Sequence, residues 1–500
     1  MLLYTISLKR FHLKFTFYLH ECFSFEKNRF MNRRKFFKNT AIAGAGIGVL
    51  GACSTASGIV GTNEIEATKA KNIIFLVSDG MSIGTLTMAD TLKQRMYGKP
   101  SVWMDLYRNN KVARGLMDMA SESSLVTDSA AASSSWGGGH RIPNGGINVG
   151  RGGITHTPIW QKFKKAGKKA GVVTTVPVTH ATPAGFCAIS DSRNDQAGIA
   201  LQYLELELDV MLGGGRKHFD PEMRKDGLNL LDAFSQKGYD VLLSRDEMLY
   251  SKGNHPLLGV FDVDGLSYTL DRNNNNEIKN QTPTLAEMTS KAIESMQQHK
   301  EGFVLQVEGG KVDWAAHAND AGALLYDQMA FDDAVEVAMN FAASNGETLV
   351  VITTDHGNAN PGMMYGRNVN ENFDRLQNFK ATNDWILQGI NPEFSVELVR
   401  ERIEFANNFG ISKEDAAKLL NYYKGAEKTE EGLYNYKKLP FKLLSEIQQN
   451  YHSVGWISTN HSGDFVELAM YGPGSDRLKP FMRNTELHYL MLEAAEVENA

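Results

Sequence analysis

Four short apolar runs along the chain end in polar residues: "KNIIFLVSDG", "AGVVTTVPV", "GFVLQVEGG" and "ETLVVITTDHG". Each run is continuously apolar rather than alternating, which is typical of a strand buried on both faces of a parallel sheet. Stretches with helical spacing separate them, at 159–170, 284–299 and 321–344. The alternation predicts an α/β fold, with a doubly wound, mostly parallel central sheet flanked by helices.

The pattern changes in the segment 362–452. Here "FSVELVRERIEFANNFG" and "KEDAAKLLNYYKG" have the spacing of amphipathic helices. After it, "FVELAMYGPG" predicts a strand and "NTELHYLMLEAA" a final helix. We therefore expect a mainly helical module inserted into one domain that spans 71–500. The polar stretch Asp271–Glu277, "DRNNNNE", resembles a calcium loop only faintly, and we expect a solvated loop.

The first seventy positions do not have the pattern of a folded domain. Arg33 and Arg34 form a twin-arginine pair, and an apolar stretch from Ala41 to Leu50 follows. This stretch is too short to span a membrane, so it indicates an export signal. It ends in "LGAC", which resembles a lipoprotein processing site with Cys53 as the lipid-bearing residue.

These features divide the N-terminal region into three parts. Met31 is the preferred start, so 1–30 would be an upstream extension outside the natural protein, 31–53 the signal and 54–70 a Gly/Ala-rich tether. An ordinary signal peptide with a chance cysteine is the alternative. Under either interpretation the protein is exported, as a periplasmic or a membrane-anchored protein.

Composition narrows the function classes. The formal net charge is -6 among 500 residues, and no basic patch suggests nucleic acid as a dedicated partner. The three cysteines are Cys22, Cys53 and Cys187, too few for a disulfide framework. We expect Cys187 to be a small buried apolar residue.

Acids and histidines follow the predicted strands. Asp79, Glu308 and the pair Asp355-His356 stand at strand ends, where ligands bind in open α/β sheets. Asp313 and His317 are four apart, which places them on one face of a helix. His461, in "STNHSGD", is a further candidate. Carboxylates and imidazoles without thiolates suit zinc or magnesium.

A second motif, "VTDSAAASSSWGGG", begins at Val126 and places Asp128 and Ser129 before a run of small residues. Ser129 could cap an ordinary packed helix. It could also be a nucleophile on a helix whose N-terminus comes close to an anion, where free N–H groups and the helix dipole favour negative charge. This stretch alone does not decide between the two.

The motifs together resemble those of one family. "SDGMS", "VTDSAAAS", "HATPAG", "VEGGKVDWAAH", "TTDHG" and "NHSG" occur in the order found in alkaline phosphatases, over residues 71–356 and 454–495. The resemblance implies hydrolysis of phosphate monoesters to an alcohol and inorganic phosphate through a phosphoserine intermediate. The implied cofactors are two Zn²⁺ and one Mg²⁺, and the implied partners are small phosphate monoesters and a second copy in a homodimer.

The resemblance also assigns roles to residues of this chain. Ser129 matches the nucleophile, Asp128 a residue that orients its surroundings, and Arg193 the arginine that binds the phosphate. Three further sets match ligands of the two zinc ions and of magnesium, in that order: Asp79, Asp355 and His356; Asp313, His317 and His461; Asp79, Thr182 and Glu308.

Two positions depart from the best-known bacterial members, which carry Asp and Lys where this chain has His180 and Trp314. The chain resembles the branch with the His/Trp pair. His180 removes a carboxylate near the magnesium site, and the Trp314 indole offers one neutral donor only. We therefore expect weaker magnesium binding and easier phosphate release. The insert is expected to be a lid or a dimer contact, with a solvent-facing decoration as the alternative.

Other functions in the same superfamily stay open on the sequence alone. A phosphodiesterase or a sulfatase would share the fold, although related diesterases usually use threonine as the nucleophile. A non-catalytic phosphate-binding lipoprotein would have no need of a complete set of competent residues at the motif positions.

Overall fold

The structure is a computed structural model and describes residues 69–429 and 432–499. The predicted extension 1–30, the predicted signal 31–53 and nearly all of the predicted tether 54–70 lie outside these residues. Ala70, the last residue of that tether, is already buried, and its N–H donates to the Ala494 carbonyl at 2.8 Å. Ala70 therefore already belongs to the folded part of the chain.

Fourteen strands lie in the described residues. They are β1 (Asn72–Val77), β2 (Ala113–Asp118), β3 (Lys169–Pro177), β4 (Val210–Gly214), β5 (Asp240–Leu242), β6 (Leu257–Val260), β7 (Phe303–Glu308), β8 (Thr348–Thr353), β9 (Gly357–Asn358), β10 (Gly362–Met363), β11 (Val454–Gly455), β12 (His461–Ser462), β13 (Val466–Tyr471) and β14 (Phe481–Arg483).

Ten of these strands form one sheet in the order β14-β2-β13-β8-β1-β7-β3-β4-β6-β5. All neighbours in this sheet are parallel except β13, which is antiparallel to both β2 and β8. The four strands predicted from apolar runs, β8, β1, β7 and β3, are adjacent at its centre. The prediction of a doubly wound, mostly parallel sheet is confirmed.

Nineteen α-helices lie in the described residues. They are α1 (Ile83–Tyr97), α2 (Val102–Arg108), α3 (Ser129–Gly137), α4 (Ile159–Lys165), α5 (Ala181–Cys187), α6 (Gln196–Leu206), α7 (Leu230–Gln236), α8 (Arg245–Tyr250), α9 (Thr269–Asn274), α10 (Asn276–Gln281), α11 (Leu285–Met296), α12 (Lys311–His317), α13 (Ala321–Asn345), α14 (Val369–Asp374), α15 (Asn383–Gln388), α16 (Val396–Asn407), α17 (Lys413–Tyr422), α18 (Phe441–His452) and α19 (Asn484–Ala494).

Helix boundaries follow local chemistry. The long helix α13 begins after Asp320, whose carboxylate accepts from the Ala323 N–H, and it ends at Gly346 in the left-handed region. The helix predicted at 159–170 was too long. It ends at Lys165 because Gly167, at φ +84°, turns the chain into β3.

The loop expected at Asp271–Glu277 is helical instead, because the stretch forms the end of α9 and the start of α10, while Asn273–Glu277 are exposed to solvent as expected. Arg272 is buried, and its Nε donates to the Thr282 carbonyl at 2.8 Å. Asp271 accepts from both the N–H and the hydroxyl of Thr382. These contacts hold the first two residues of the stretch, Asp271 and Arg272, against the rest of the protein.

Apolar side chains fill both faces of the sheet. In β1, Ile74 and Leu76 point into one core cluster, while Ile73, Phe75 and Val77 point into the other. This alternation explains the continuous apolar run, because neither face of the strand meets water. Buried Cys187 lies in the second cluster, as its expected apolar role requires, and burial raises the pKa of its thiol.

The segment 362–452 is mainly helical, as predicted, and contains α14 to α18. It packs into the first core cluster. The Asn383 N–H donates to Asp320 at 2.6 Å, and the Tyr326 hydroxyl donates to the Leu376 carbonyl at 3.2 Å. These bonds tie the segment to α13. Across the described ranges, no helix combines the length and the apolar character needed to cross a membrane.

Asp327 on α13 is a buried acid in this contact region. Its two carboxylate oxygens accept from the N–H and the hydroxyl of Thr269, at 3.1 and 3.0 Å. Burial raises its pKa from 3.8 to about 7, although Lys311 nearby opposes the shift. Because the unfolded chain ionises first, this group lowers stability as the pH rises from its ordinary pKa towards 7.

We expect Asp327→Asn to flatten the pH dependence of stability. Relative to the variant, the wild-type protein should lose on the order of 4 kcal/mol of unfolding free energy between pH 4 and 8, since one pKa unit corresponds to about 1.4 kcal/mol. Urea unfolding at a series of pH values measures this difference. Asp333→Asn, whose side chain is 57% exposed on the same helix, is the matched control. Equal slopes for the wild type and Asp327→Asn would contradict the prediction.

Candidate active site

The site lies at the carboxyl edge of the central strands. Asp79 follows β1, Glu308 ends β7, and Asp355 with His356 follows β8. These three strands are neighbours in the sheet, so their ends bring the side chains together. A two-stranded ladder, β12 with β9, adds His461, which pairs with Asn358 in register.

Ser129 is the first residue of α3 and is 1% exposed. Its Oγ lies 3.2 Å from Nε2 of His356. The helix contains only small residues and one tryptophan, and all nine are buried. It packs tightly against α5: a side chain at Gly137 would collide with the Gly185 carbonyl. The run of small residues therefore allows this helix to enter the core with its N-terminus at the site.

Asp128 fixes the start of that helix and holds an arginine. Its Oδ1 accepts from the Ala131 N–H at 2.9 Å, and its Oδ2 accepts from the Gly145 N–H at 3.1 Å and from Nη1 of Arg193 at 3.0 Å. The other arm of the guanidinium, Nη2, lies 3.2 Å from Nε2 of His180. One carboxylate thus aligns Arg193 with the helix that carries Ser129.

The first group of possible cation ligands is Asp79, Asp355 and His356, all buried. Nε2 of His356 lies 3.1 Å from Oδ2 of Asp355 and 3.7 Å from Oδ1 of Asp79. The Gly80 N–H donates to Oδ1 of Asp355 at 2.9 Å, which leaves Oδ2 directed at the site. This is the group that Ser129 faces.

The second group is built on α12, where Asp313 and His317 share a face as predicted. Nε2 of His317 lies 3.4 Å from Oδ2 of Asp313 and 3.1 Å from Nε2 of His461. The three residues here whose ligand atoms all lie within 4.8 Å of one another are Asp313, His356 and His461, so His356 takes the place expected for His317 in this group. The His356 and His461 rings stack at 3.6 Å, so the first two groups are contiguous.

Backbone carbonyls orient both histidines of this group. Nδ1 of His317 bonds the Thr459 carbonyl at 2.7 Å, and Nδ1 of His461 bonds the Thr127 carbonyl at 3.0 Å. A carbonyl only accepts, so both Nδ1 atoms carry hydrogen and both Nε2 lone pairs face the site. This is the ring orientation that metal-binding histidines have.

The third group is Asp79, His180 and Glu308. Nδ1 of His180 lies 3.9 Å from Oε1 of Glu308, whose Oε2 accepts from the Thr174 hydroxyl at 2.5 Å. Thr182, on α5, donates from Oγ1 to Oδ2 of Asp79 at 3.3 Å. The expected set of Asp79, Thr182 and Glu308 is therefore assembled here, and His180 joins it.

Charge is crowded in the site. Burial, and then the charge of Asp355, raises the pKa of Asp79 well above its ordinary value. For Asp355, burial acts in the same direction, but the charge and hydrogen bond of His356, the Gly80 N–H and the charge of His461 together lower the pKa to about 2. Burial opposes a charge on His356 too, yet Asp355 raises the pKa of that imidazole. Buried carboxylates here compete for very few positive partners.

Several buried polar atoms at the site have no hydrogen-bond partner within the described residues. They are Oδ1 of Asp79, Oδ2 of Asp355, Nδ1 of His356, Oε1 of Glu308 and Nδ1 of His180. Buried polar atoms are nearly always paired, so a cluster of unpaired carboxylate oxygens at one sheet edge fits divalent cations. The donor set of oxygen and imidazole without thiolate suits zinc and magnesium.

Trp314 forms one side of the third group. Its ring lies edge-on to His180, with centroids 6.2 Å apart. Nζ of buried Lys311 lies 4.6 Å from the Trp314 ring centroid and 3.7 Å from that of Tyr268. The lysine is held between two aromatic faces, an arrangement that cation–π attraction stabilises. The contact with Lys311 therefore holds the Trp314 ring in place beside His180.

The sequence analysis did not place His180 among the cation ligands, and it missed Asn358. Nδ2 of Asn358 donates to Oδ1 of Asp313 at 2.7 Å and so orients that carboxylate. Its position two residues after His356 was the only available signal. The proximity of His180 to Glu308 depends on the pairing of β3 with β7, which no local motif predicts.

A buried serine at a helix N-terminus, an anchored arginine and clustered cation ligands at the edge of an α/β sheet define a metal-dependent hydrolase of phosphate esters. Comparison with known proteins agrees: residues 70–497 match the alkaline phosphatase family. The chain belongs to this family and is a phosphoric monoester hydrolase.

The relatives span most of the chain. Alkaline phosphatase 4 of Bacillus subtilis is 29% identical over 433 residues, which cover 84% of this chain and 88% of that protein. Alkaline phosphatase 3 of the same organism is 30% identical over 423 residues, 83% of this chain and 87% of that protein. The crystal structure of Thermus thermophilus alkaline phosphatase is 31% identical, with a TM-score of 0.79, covering 86% of this chain and 92% of that one.

We expect Gly80→Ala to damage the site. Gly80 lies at φ +65°, and an added Cβ would be 2.5 Å from Oδ1 and 2.9 Å from Cα of Asp313. Gly98, at φ +68° with nothing within 4 Å of an added Cβ, is the matched control. Gly98→Ala should cost about 1–2 kcal/mol of unfolding free energy from backbone strain alone.

Gly80→Ala should cost clearly more than Gly98→Ala and should also weaken Zn²⁺ binding, because Asp313 has to move. Urea unfolding and calorimetric titration of Zn²⁺ measure the two effects. Equal losses of stability and unchanged Zn²⁺ affinity in Gly80→Ala would show that the close approach to Asp313 is unimportant.

Proposed function

We propose that the chain hydrolyses phosphate monoesters through a phosphoserine formed on Ser129. The observation that carries this proposal is the position of its Oγ, buried at the N-terminus of α3 and 3.2 Å from Nε2 of His356. A free serine hydroxyl is a poor nucleophile, so it needs a neighbour that favours the alkoxide. His356 belongs to the first ligand group, together with Asp79 and Asp355.

The same group of residues accounts for anion binding. The helix N-terminus favours negative charge at Ser129. Arg193 supplies a planar pair of donors for two phosphoryl oxygens, and Asp128 fixes its orientation through the 3.0 Å bond to Nη1. The phosphorus would then lie between Oγ and the guanidinium, with the leaving oxygen directed away from α3.

We propose that two zinc ions and one magnesium ion occupy the three groups. Asp79, Asp355 and His356 would hold one zinc. Asp313, His317 and His461 would hold the other, and Asp79, Thr182 and Glu308 with His180 would hold magnesium. When bound, such cations stabilise the alkoxide of serine and the negative charge that spreads over the transferred phosphoryl group. The unpaired buried oxygens described above support this assignment.

Export, a lipid anchor on Cys53 and a homodimer also remain proposals. The export signal lies outside the described residues. The exposed apolar side chains of Ile83, Met364, Tyr365 and Ile457 support an apolar contact with a second copy of the chain. The contacts of the segment 362–452 with α13 support a role in shaping substrate access rather than a detached decoration.

We expect Ser129→Ala to reduce turnover of a chromogenic phosphate monoester by about 10³-fold or more, because no other group can form the intermediate. Ser135→Ala is the matched control: that hydroxyl is buried in the same helix and donates to the Ala132 carbonyl. It should retain activity within about threefold. Mass spectrometry of acid-quenched wild type should find phosphate on Ser129.

A phosphate diester tested in parallel separates this activity from a diesterase. Full activity in Ser129→Ala, or a preference for the diester, would overturn the proposal.

We expect cation removal to destabilise the protein. Cations at about a hundredfold above their Kd stabilise the folded state by about 3 kcal/mol per site, so chelation should lower the thermal midpoint. Asp79→Asn should reduce the difference in thermal midpoint between the cation-loaded and the chelated protein. The substitution removes a negative charge that burial and Asp355 disfavour when no cation is bound. Differential scanning calorimetry with and without chelator measures both effects. A midpoint that does not respond to chelator would contradict the proposed cation sites.

A further inference from the structure

His180 lies between the arginine and the third ligand group. Its Nε2 is 3.2 Å from Nη2 of Arg193. Its Nδ1 is 3.9 Å from Oε1 of Glu308, and neither of these two atoms has a hydrogen-bond partner among the described residues. The backbone around the ring is fixed, because the His180 N–H donates to Pro177 and its carbonyl accepts from Ala184. One imidazole therefore faces two functional groups at once.

The neutral His180 ring cannot accept a hydrogen bond from Arg193 at Nε2 and bind a cation at Nδ1 at the same time. A guanidinium has donors only, so the bond to Arg193 requires Nε2 of His180 to accept. In the neutral ring, the hydrogen then resides on Nδ1 and is directed at Glu308. A cation bound at Nδ1 needs the lone pair there, which moves the hydrogen to Nε2. Nε2–H would then face the guanidinium donor, and the bond to Arg193 would be lost.

We propose that His180 couples the third cation to the phosphate-binding arginine. Without that cation, His180 accepts one of the two Nη2 hydrogens of Arg193 and holds that arm of the guanidinium turned towards the ring. With the cation on Nδ1, Nη2 is released to bind a phosphoryl oxygen. This inference rests on the proposed function and assigns to His180 the role of a positioning residue for Arg193.

The surroundings of Arg193 explain why release does not displace it. Nη1 stays bonded to Asp128 at 3.0 Å, and the Arg193 backbone N–H donates to the Gly145 carbonyl at 2.8 Å. The guanidinium can therefore exchange the partner of one arm while the other stays in place. Trp314, edge-on to the His180 ring at 6.2 Å, restricts that ring to the position between its two partners.

The proposed coupling between the third cation and phosphate is positive. Since the cation frees a donor for phosphate, each ligand should tighten the binding of the other, and by the same factor. Attraction between the cation and the anion acts in the same direction. A variant that keeps the ligand atom and removes the acceptor for Arg193 separates these two contributions.

His180→Asn is that variant, because its side-chain oxygen can take the place of Nδ1 while nothing replaces Nε2. Inorganic phosphate is titrated calorimetrically into full-length Ser129→Ala protein loaded with Zn²⁺, with and without Mg²⁺. With His180 present, Mg²⁺ should tighten phosphate binding by about fivefold or more. In His180→Asn, phosphate should bind tightly without Mg²⁺, and the gain should fall below about twofold. Equal gains in the two proteins would overturn the inference.

A direct measurement covers the case in which His180→Asn does not fold. In protein labelled with ¹⁵N-histidine, the His180 signals should report hydrogen on Nδ1 before Mg²⁺ is added and on Nε2 afterwards. An unchanged pattern at saturating Mg²⁺ would overturn the coupling. The proposed function fails separately, if protein with Ser129 intact and fully loaded with cations does not hydrolyse a phosphate monoester.

Discussion

The repulsion among buried carboxylates at the sheet edge governs the structure of this enzyme. Asp79, Asp313, Asp355 and Glu308 are all at most 5% exposed, and the imidazoles of His180, His356 and His461 lie among them. The folded chain therefore buries an excess of negative charge, which the cations proposed for this site would neutralise. The unpaired oxygens, the opposed pKa shifts and the carbonyl-anchored histidines all follow from that one requirement.

Much of the fold could be predicted from the chain because its central strands are buried on both faces. The stretch "IIFLV" of β1 is apolar on both faces of the strand, and such a pattern can be recognised from the local sequence alone. The antiparallel direction of β13 was not predicted, because strand direction depends on which neighbour it meets. The helical state of Asp271–Glu277 was missed for a related reason: Thr382, more than a hundred positions away, satisfies Asp271.

The residues of the site also fall into two classes, those that a local motif identifies and those whose role depends on long-range strand pairing. Residues in motifs were identified because the motif itself carries the chemistry: an acid at a strand end, or Asp313 and His317 one helical turn apart. Asn358 and the cation-facing side of His180 were not, since their roles exist only after β3, β7, β9 and β12 have paired. Asp128 was expected to orient the surroundings of Ser129, and its carboxylate holds both the helix and Arg193. The bond from Asp128 to Arg193 depends on how the chain folds between them, and the sequence spacing of the two residues does not predict it.

The chain order of the β9–β12 ladder has a consequence for biosynthesis. His461 reaches the site only by pairing beside Asn358, and the whole segment 362–452 is synthesised between them. A ribosome-bound chain can thus complete most of the sheet while its cluster of possible cation ligands still lacks His461. Closing so long a loop is slow and non-local, so the cluster of ligand residues is complete only when translation is almost finished.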